Sequence, residues 1–242
     1  MQDRRFMSSS QAQAANIDAG LRSYMLGVYN HMTIGMAITG FFAYLTKIMS
    51  VSEGMLTPFG TAIYASPLKW IIMLAPLGMV FWLSAKVQTM KPESARNLFY
   101  AFAAIMGISL SSLLLVFTGE SVIRVFFLTA ASFSALSIYG YTTKKSLTSL
   151  GSFLIMGLVG LILASIVNIF LASSAMQFII SVVGVLIFAG LTAYDTQRIK
   201  LMYMASDDRG TALKKSIMGA LTLYLDFINM FIMLLQLLGN RE

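Results

Sequence analysis

Two aspartates near the C-terminal end of the chain, Asp195 and Asp226, lie inside long apolar segments and are the residues whose type and position suggest chemistry. A carboxylate at the centre of a bilayer costs roughly 2.5–3.5 kcal/mol even on the lenient insertion scale, so such residues usually serve a function. Residues 206–210 form the most polar stretch between them and predict the tip of a helical hairpin. Each aspartate lies about fifteen residues from Gly210, or ~22 Å along its helix. The spacing therefore predicts that the two carboxyl groups lie at similar depth, within reach of each other.

Two neighbouring carboxyl groups in a medium of low dielectric constant do not both ionise easily, so they share a proton and titrate as a coupled pair. Loss of that proton leaves a doubly negative site inside the membrane. Four oxygen-bearing neighbours at helical spacing are predicted to support the pair: Thr192, Thr196, Thr222 and Asn229. On the last helix this polar stripe continues through Met233 and Gln236. The alternative is a structural role, in which neighbouring donors satisfy both acids and the acids hold the helices in register.

Few other residues are candidates for chemistry. His31 lies midway along the first apolar segment, where it would suit a proton sensor, but a packed histidine bonded to a hydroxyl or carbonyl group is the favoured interpretation. The chain has one histidine and no cysteine, which excludes thiol catalysis and disulfides and makes a zinc site improbable. No cofactor is predicted.

The elements that position these residues are predicted to be membrane helices. Hydrophobic residues make up 57% of the chain and charged residues 11%, which is far more apolar than an ordinary soluble domain. Seven blocks have the ~20 residues needed to cross the hydrocarbon layer: 21–46, 67–87, 97–118, 121–141, 147–172, 175–197 and 213–238. The composition therefore predicts an all-α, seven-transmembrane-helix bundle over residues 21–242, preceded by a flexible cytoplasmic tail over residues 1–20.

The basic residues predict how the helices are oriented. Of the 17 Lys and Arg residues, 13 fall in the N-terminal tail and in alternate connections on the same side, and 4 fall on the other side. Positive residues are retained on the cytoplasmic side of a membrane. We therefore predict a cytoplasmic N-terminus and an external C-terminus. The net charge is +7, but the basic residues are dispersed between the apolar blocks. This distribution is more typical of residues that orient a protein in the membrane than of a nucleic-acid-binding surface.

Small residues predict close helix contacts in two of the segments. Helices in lipid approach closely where glycine, alanine and serine share one face. The predicted contact faces are Ala103, Gly107 and Ser111 in the third segment, and Gly157, Gly160 and Ala164 in the fifth.

Three short stretches resemble a known family of membrane proteins. Residues 193–197 (AYDTQ) and 225–229 (LDFIN) resemble the signature of the Bax inhibitor family, which carries the transmembrane Bax-inhibitor motif, and residues 107–112 (GISLSS) are similar to its pattern in the third span. The resemblance implies a compact bundle with the seventh helix near its centre. It also implies a pH-sensitive calcium leak governed by an aspartate pair, which in this chain would be Asp195 and Asp226.

The same resemblance carries further implications. The two aspartates would ligate calcium transiently as the permeant ion, and the chain would lie in a bacterial inner membrane. The family also has a basic partner on the second helix that latches one aspartate. In this chain that helix has only Lys69 and Lys86, at its ends.

Two other functions stay open. The first is a non-transporting regulator that binds a membrane protease, a stress-response complex or another membrane protein through its helix faces. The second is an intramembrane aspartyl protease, because such enzymes also place a Tyr-Asp pair in one helix and an Asp in the next. Those enzymes carry Gly-x-Gly before the second acid, where this chain has residues 223–225 (LYL), and a later Pro-Ala-Leu motif, whereas no proline follows Pro92 here. We therefore expect that the chain is not an enzyme.

Overall fold

The computed structural model describes the backbone of residues 9–241 and the side chains of residues 19–241. Long helices dominate this part of the chain. In chain order the elements are α1 (Ser9–Ser50), the hairpin strands β1 (Val51–Ser52) and β2 (Met55–Leu56), α2 (Pro58–Gly60), a π-helical turn (Thr61–Ala65), α3 (Leu68–Lys86), α4 (Pro92–Leu110), α5 (Leu113–Val116), α6 (Gly119–Thr142), α7 (Thr148–Leu171), α8 (Ser174–Leu201) and α9 (Arg209–Leu238).

Seven segments of the described chain are long and apolar enough to cross a membrane, and α4 and α5 together form one of them, Pro92–Val116. The prediction of an all-α, multi-pass membrane protein with seven spans is confirmed. The first helix is helical from Ser9, so it includes residues 9–20 of the segment predicted as a tail. The flexibility of that segment stays a prediction, and residues 1–8 lie outside the described part.

The third span is interrupted near its end, where the sequence predicts one continuous helix. Ser111 bonds the carbonyl of Ile108 through its backbone N–H at 3.3 Å and its hydroxyl at 2.6 Å. Serine hydroxyls compete with the helix for backbone groups. The α-helical hydrogen-bond pattern is interrupted at Ser111 and Ser112 before α5 begins, although both residues keep right-handed helical dihedral angles. The next helix begins cleanly at Gly119, because Thr118 caps it by accepting the N–H of Ser121 at 3.3 Å.

The last helix forms the centre of the bundle, as the family resemblance implies. Helix α9 packs against α1, α4, α6 and α8, and much of its surface is buried. The Tyr224 ring is fully buried and meets Phe99 and Phe102 of α4 edge-on, at centroid distances of 5.9 and 5.4 Å. Its hydroxyl is 2.6 Å from the hydroxyl oxygen of Thr39 in α1. One residue of α9 thus joins three helices.

Small residues set the contact between α1 and α4. A Cβ at Gly107 would lie 2.4 Å from the Thr39 carbonyl oxygen, so only glycine allows this approach. Ala103 and Ser111 on the same face are fully buried. The second predicted face is looser, because a Cβ at Gly157 would meet Ile187 at 3.2 Å whereas one at Gly160 would have nothing within 4 Å.

The connection between α8 and α9 forms the predicted hairpin tip. Asp208 caps α9, and its Oδ1 accepts the N–H groups of Gly210 at 2.8 Å and Thr211 at 3.1 Å. The Thr211 hydroxyl donates to the other oxygen of this carboxylate, and these hydrogen bonds hold the pKa of Asp208 below its ordinary value. The Lys215 ammonium in α9 forms a salt bridge with the Asp207 carboxylate in the loop, with Nζ 2.6 Å from Oδ2.

Candidate functional site

The antiparallel arrangement of α8 and α9 places the two aspartates side by side, as their spacing about Gly210 predicts. The carboxyl groups of Asp195 and Asp226 are within hydrogen-bonding reach of each other. Both residues are buried, with 8% and 5% of their surfaces exposed. Two acids are therefore adjacent inside a bundle of membrane-spanning helices.

The hydrogen bonding of the pair is incomplete. Asp226 Oδ2 is buried, and within the described part of the chain no amide or hydroxyl group donates to it. Buried polar atoms without a partner are rare, because each carries a desolvation cost of about 1–3 kcal/mol. A proton shared between the two carboxyl groups would lower this cost, because two bare carboxylates repel each other at short range.

Both aspartates face one large cavity of about 740 Å³. Residues of α3, α4, α7, α8 and α9 line it, and most of them are apolar. Thr222 and Asn229 of α9 lie on its wall, one turn on either side of Asp226. The Asn229 amide nitrogen donates to the Leu225 carbonyl at 2.8 Å, so its amide oxygen stays available as an acceptor. Two of the four predicted supporting residues are thus brought to the acids.

The other two predicted supporting residues lie on a different face of α8. Thr192 donates its hydroxyl to the Phe188 carbonyl at 2.8 Å. The Thr196 hydroxyl is 3.0 Å from the hydroxyl of Ser137 in α6, and Ser137 in turn is 2.6 Å from the hydroxyl of Tyr29 in α1. Thr196 therefore belongs to the contact between α8 and α6, whereas Thr192 is fully buried and bonds within its own helix.

The cation beside the acids is Arg198, one of the 13 basic residues that predict the inner side of the membrane. Arg198 lines the same cavity, and its charge acts on Asp195, one helical turn away. The i, i+3 spacing of these residues is the signal that could have identified it. The two lysines of the second span lie elsewhere: the Lys69 ammonium sits 5.3 Å from the Trp70 ring centre, and Lys86 is exposed in the last turn of α3.

His31 is a packed residue of α1, which agrees with the favoured interpretation. Its Nδ1 is 2.8 Å from the hydroxyl oxygen of Tyr100 in α4. The hydrogen bond links two helices at a distance from the aspartate cavity, whose walls do not include His31.

The oxygen atoms at the cavity suit a loosely held divalent cation. Calcium takes six to eight oxygen ligands, and here two carboxylates, the Asn229 amide oxygen and the Thr222 hydroxyl are at hand. No group of three or more His, Cys, Asp or Glu residues occurs among the residues described. Water would therefore complete the coordination shell, as is typical of a transient site and not of a permanent one.

Comparison with known proteins identifies the family of the chain. A family model described as "Inhibitor of apoptosis-promoting Bax1" matches residues 21–242. The chain is 46% identical over 231 residues to an uncharacterized protein of Caulobacter vibrioides, covering 94% of this chain and 92% of that protein. It is 46% identical to protein RP147 of Rickettsia prowazekii, over 93% and 92% of the two chains, and 43% identical to inner membrane protein YbhL of Escherichia coli K12, over 93% and 94%. The family model covers both aspartates and all seven spans, and the chain therefore belongs to the Bax inhibitor family.

Proposed function

We propose that the chain is a pH-sensitive calcium leak channel of a bacterial inner membrane, gated by Asp195 and Asp226, and that it is not an enzyme. The observation that carries the proposal is the adjacency of two buried carboxyl groups at one cavity between membrane-spanning helices. The location is supported by the relative named inner membrane protein YbhL.

The chemistry of the pair gives the proposal its pH dependence. While a proton is shared, the carboxyl groups attract each other and hold α8 against α9. When the proton leaves, two negative charges face each other in a low dielectric medium, where their repulsion is strong. A divalent cation relieves that repulsion by binding to both, so proton and calcium compete for the same oxygens.

Few titratable side chains other than the two aspartates line the cavity. The other titratable side chains on the cavity wall are Arg198 and Tyr194, both from α8. The wall residues from α3, α4 and α7 are apolar or carry only hydroxyl groups, such as Ser109 and Ser165. We therefore expect the pH response of calcium flux to follow the aspartates, with Arg198 as the fixed charge beside them.

The test is calcium flux into liposomes that contain the purified protein, measured across a range of pH. Because coupled groups act as a unit, Asp195→Asn and Asp226→Asn should each remove most of the pH response, and the double variant should add little to either. Glu120→Gln, which neutralises an exposed acid at the start of α6, is the matched control and should behave as the native protein.

Three results would contradict the proposal. Independent shifts of the pH midpoint in the two variants, or no shift at all, would mean that the acids are not a coupled pair. Absence of flux from folded native protein would favour the non-transporting regulator. Cleavage of a transmembrane substrate that is abolished by Asp195→Asn would favour the protease.

A further inference from the structure

The polar stripe of α9 is interrupted at one position, Met233. Asn229 lies one turn before it, at the aspartate cavity, and Gln236 lies one turn after it. Met233 belongs to the stripe only by its spacing. The chemistry proposed for the two aspartates gives no role to an apolar side chain between two amides.

A second polar pocket lies beyond this methionine, at the end of the bundle opposite the loop between α8 and α9. It has a volume of about 450 Å³. The Gln236 side-chain oxygen accepts hydrogen bonds from the Gln177 amide and, at 2.9 Å, from the Ser181 hydroxyl. Asn168 of α7 donates to Gln177 at 3.3 Å. We call this cluster of Asn168, Gln177, Ser181 and Gln236 the outer pocket; Arg241 lies at its rim.

Apolar side chains of α7 and α9 lie between the outer pocket and the aspartate cavity. A Cβ at Gly184 of α8 would lie 3.0 Å from Met233 Cγ, 3.1 Å from Met233 Sδ and 3.3 Å from Leu161 Cδ2. Met233 and Leu161 therefore fill the space over Gly184, and both also line the aspartate cavity. Ser181 of the outer pocket is one turn away from Gly184 on the same helix.

The aspartate cavity also reaches toward the opposite end of the bundle. Tyr194 and Arg198 line it, and they also line a small pocket of about 210 Å³ near the end of α8, together with Thr148, Gln197, Leu201 and Met202. Cavities therefore lie along the junction of α7, α8 and α9 on both sides of the acids, and Met233 lines the aspartate cavity on the side of the outer pocket.

We propose that this three-helix junction is the outer half of the ion path and that Met233, seated on Gly184, is its hydrophobic gate. A narrow apolar constriction blocks ions because water leaves it. An unbranched methionine has three rotatable bonds, so it swings aside at lower cost than a branched side chain. The absence of a side chain at Gly184 provides the space in which the thioether sits. The identity of the ion rests on the proposed function, whereas the barrier itself is tested separately.

The barrier is tested by cysteine accessibility, for which the chain is well suited because it contains no cysteine. Gln236→Cys places a thiol in the outer pocket, and Asn229→Cys places one in the aspartate cavity. A charged, membrane-impermeant methanethiosulfonate reagent is applied from the side of the membrane that carries the C-terminus. Gln236→Cys should react whether or not Met233 is present, and a cooperative thermal unfolding transition of each purified variant shows that it is folded. Asn229→Cys should be protected, and Met233→Ala should raise its labelling rate roughly tenfold or more, because the dewetted layer is gone.

Calcium flux gives the second measurement. Met233→Ala should raise the flux while the pH midpoint stays at its native value, because the acids are unchanged. Met233→Leu, which keeps an apolar side chain of similar volume, should retain the closed state. Met230→Ala removes a methionine that is buried in the same helix but absent from the walls of both compartments, and it should change neither labelling nor flux.

The results separate failure of the gate from failure of the proposed function. Equal labelling of Asn229→Cys with native Met233 and with Met233→Ala would overturn the gate, even if calcium flux still depends on the aspartates. Labelling that responds to Met233 without calcium flux in any variant would support the gate and contradict the calcium leak.

Discussion

Asp195 and Asp226 differ in their surroundings although they face the same cavity. Asp195 has the positive charge of Arg198 one turn along its helix, whereas Asp226 lies on the most central helix and has a carboxyl oxygen without a donor among the residues described. The two members of the pair are therefore not equivalent. The fixed positive charge compensates Asp195, while Asp226 depends on its partner for a hydrogen bond.

A third aspartate, Asp208, allows a prediction about stability and pH. Its pKa is lowered by hydrogen bonds from Thr211 and Gly210, so its ionised form stabilises the cap of α9. This contribution is present above the ordinary pKa of an aspartate, about 3.9, and is lost as the pH falls through the lower folded-state value. Asp208→Ala should therefore lower the thermal unfolding temperature near neutral pH, and the difference from the native protein should shrink at acidic pH.

The control for this prediction is Asp208→Asn, which keeps a capping oxygen but has no titratable charge. Its difference from Asp208→Ala should stay constant across the same pH range. A gap between the native protein and Asp208→Ala that is independent of pH would mean that the charge of Asp208 does not stabilise the cap.

At the scale of the helices, one glycine determines how closely α1 and α4 approach. The Cβ of Gly107→Ala would meet the Thr39 carbonyl at 2.4 Å, and backbone cannot turn aside as a side chain can. Overpacking of this kind typically costs about 1–3 kcal/mol, so the variant should unfold at lower temperature in detergent. The matched control is Gly160→Ala, which faces open space in α7 and should be neutral or stabilising by up to ~1 kcal/mol, because alanine favours helix.

Equal stability of the two glycine variants would contradict this account of the contact between α1 and α4. The contact between α1 and α4 also bears on function, because the hydroxyl of Tyr224 in α9 is hydrogen-bonded to the hydroxyl of Thr39 there. A displacement of α1 would therefore also shift α9, the helix that carries Asp226.

At the scale of the whole molecule, the distribution of basic residues predicts the topology. Tags at the N-terminus and in the loop between α8 and α9 should be cytoplasmic, and a tag after Glu242 should be external, because 13 of the 17 Lys and Arg residues lie on the predicted inner side. Protease protection or tag accessibility in intact cells and spheroplasts measures this. A cytoplasmic C-terminal tag would mean that one of the seven segments does not cross the membrane.

The sequence by itself determined the helical class, the number of spans and the meeting of the two acids. Hydropathy is a local property, so long apolar blocks identify spans without any knowledge of their neighbours. Helical rise is constant, so the equal distances of Asp195 and Asp226 from Gly210 were sufficient to predict equal depth once those residues were taken as a hairpin tip.

Only the tertiary structure decided which neighbours each helix face meets. Spacing places Thr196 close to Asp195, but the bundle turns it toward Ser137 and brings Arg198 to the cavity instead. Spacing also places Met233 in a polar stripe, and only the bare backbone of Gly184 on another helix makes it a barrier. The rotation of a helix about its axis depends on contacts between segments distant in sequence, and no periodicity within one helix contains that information.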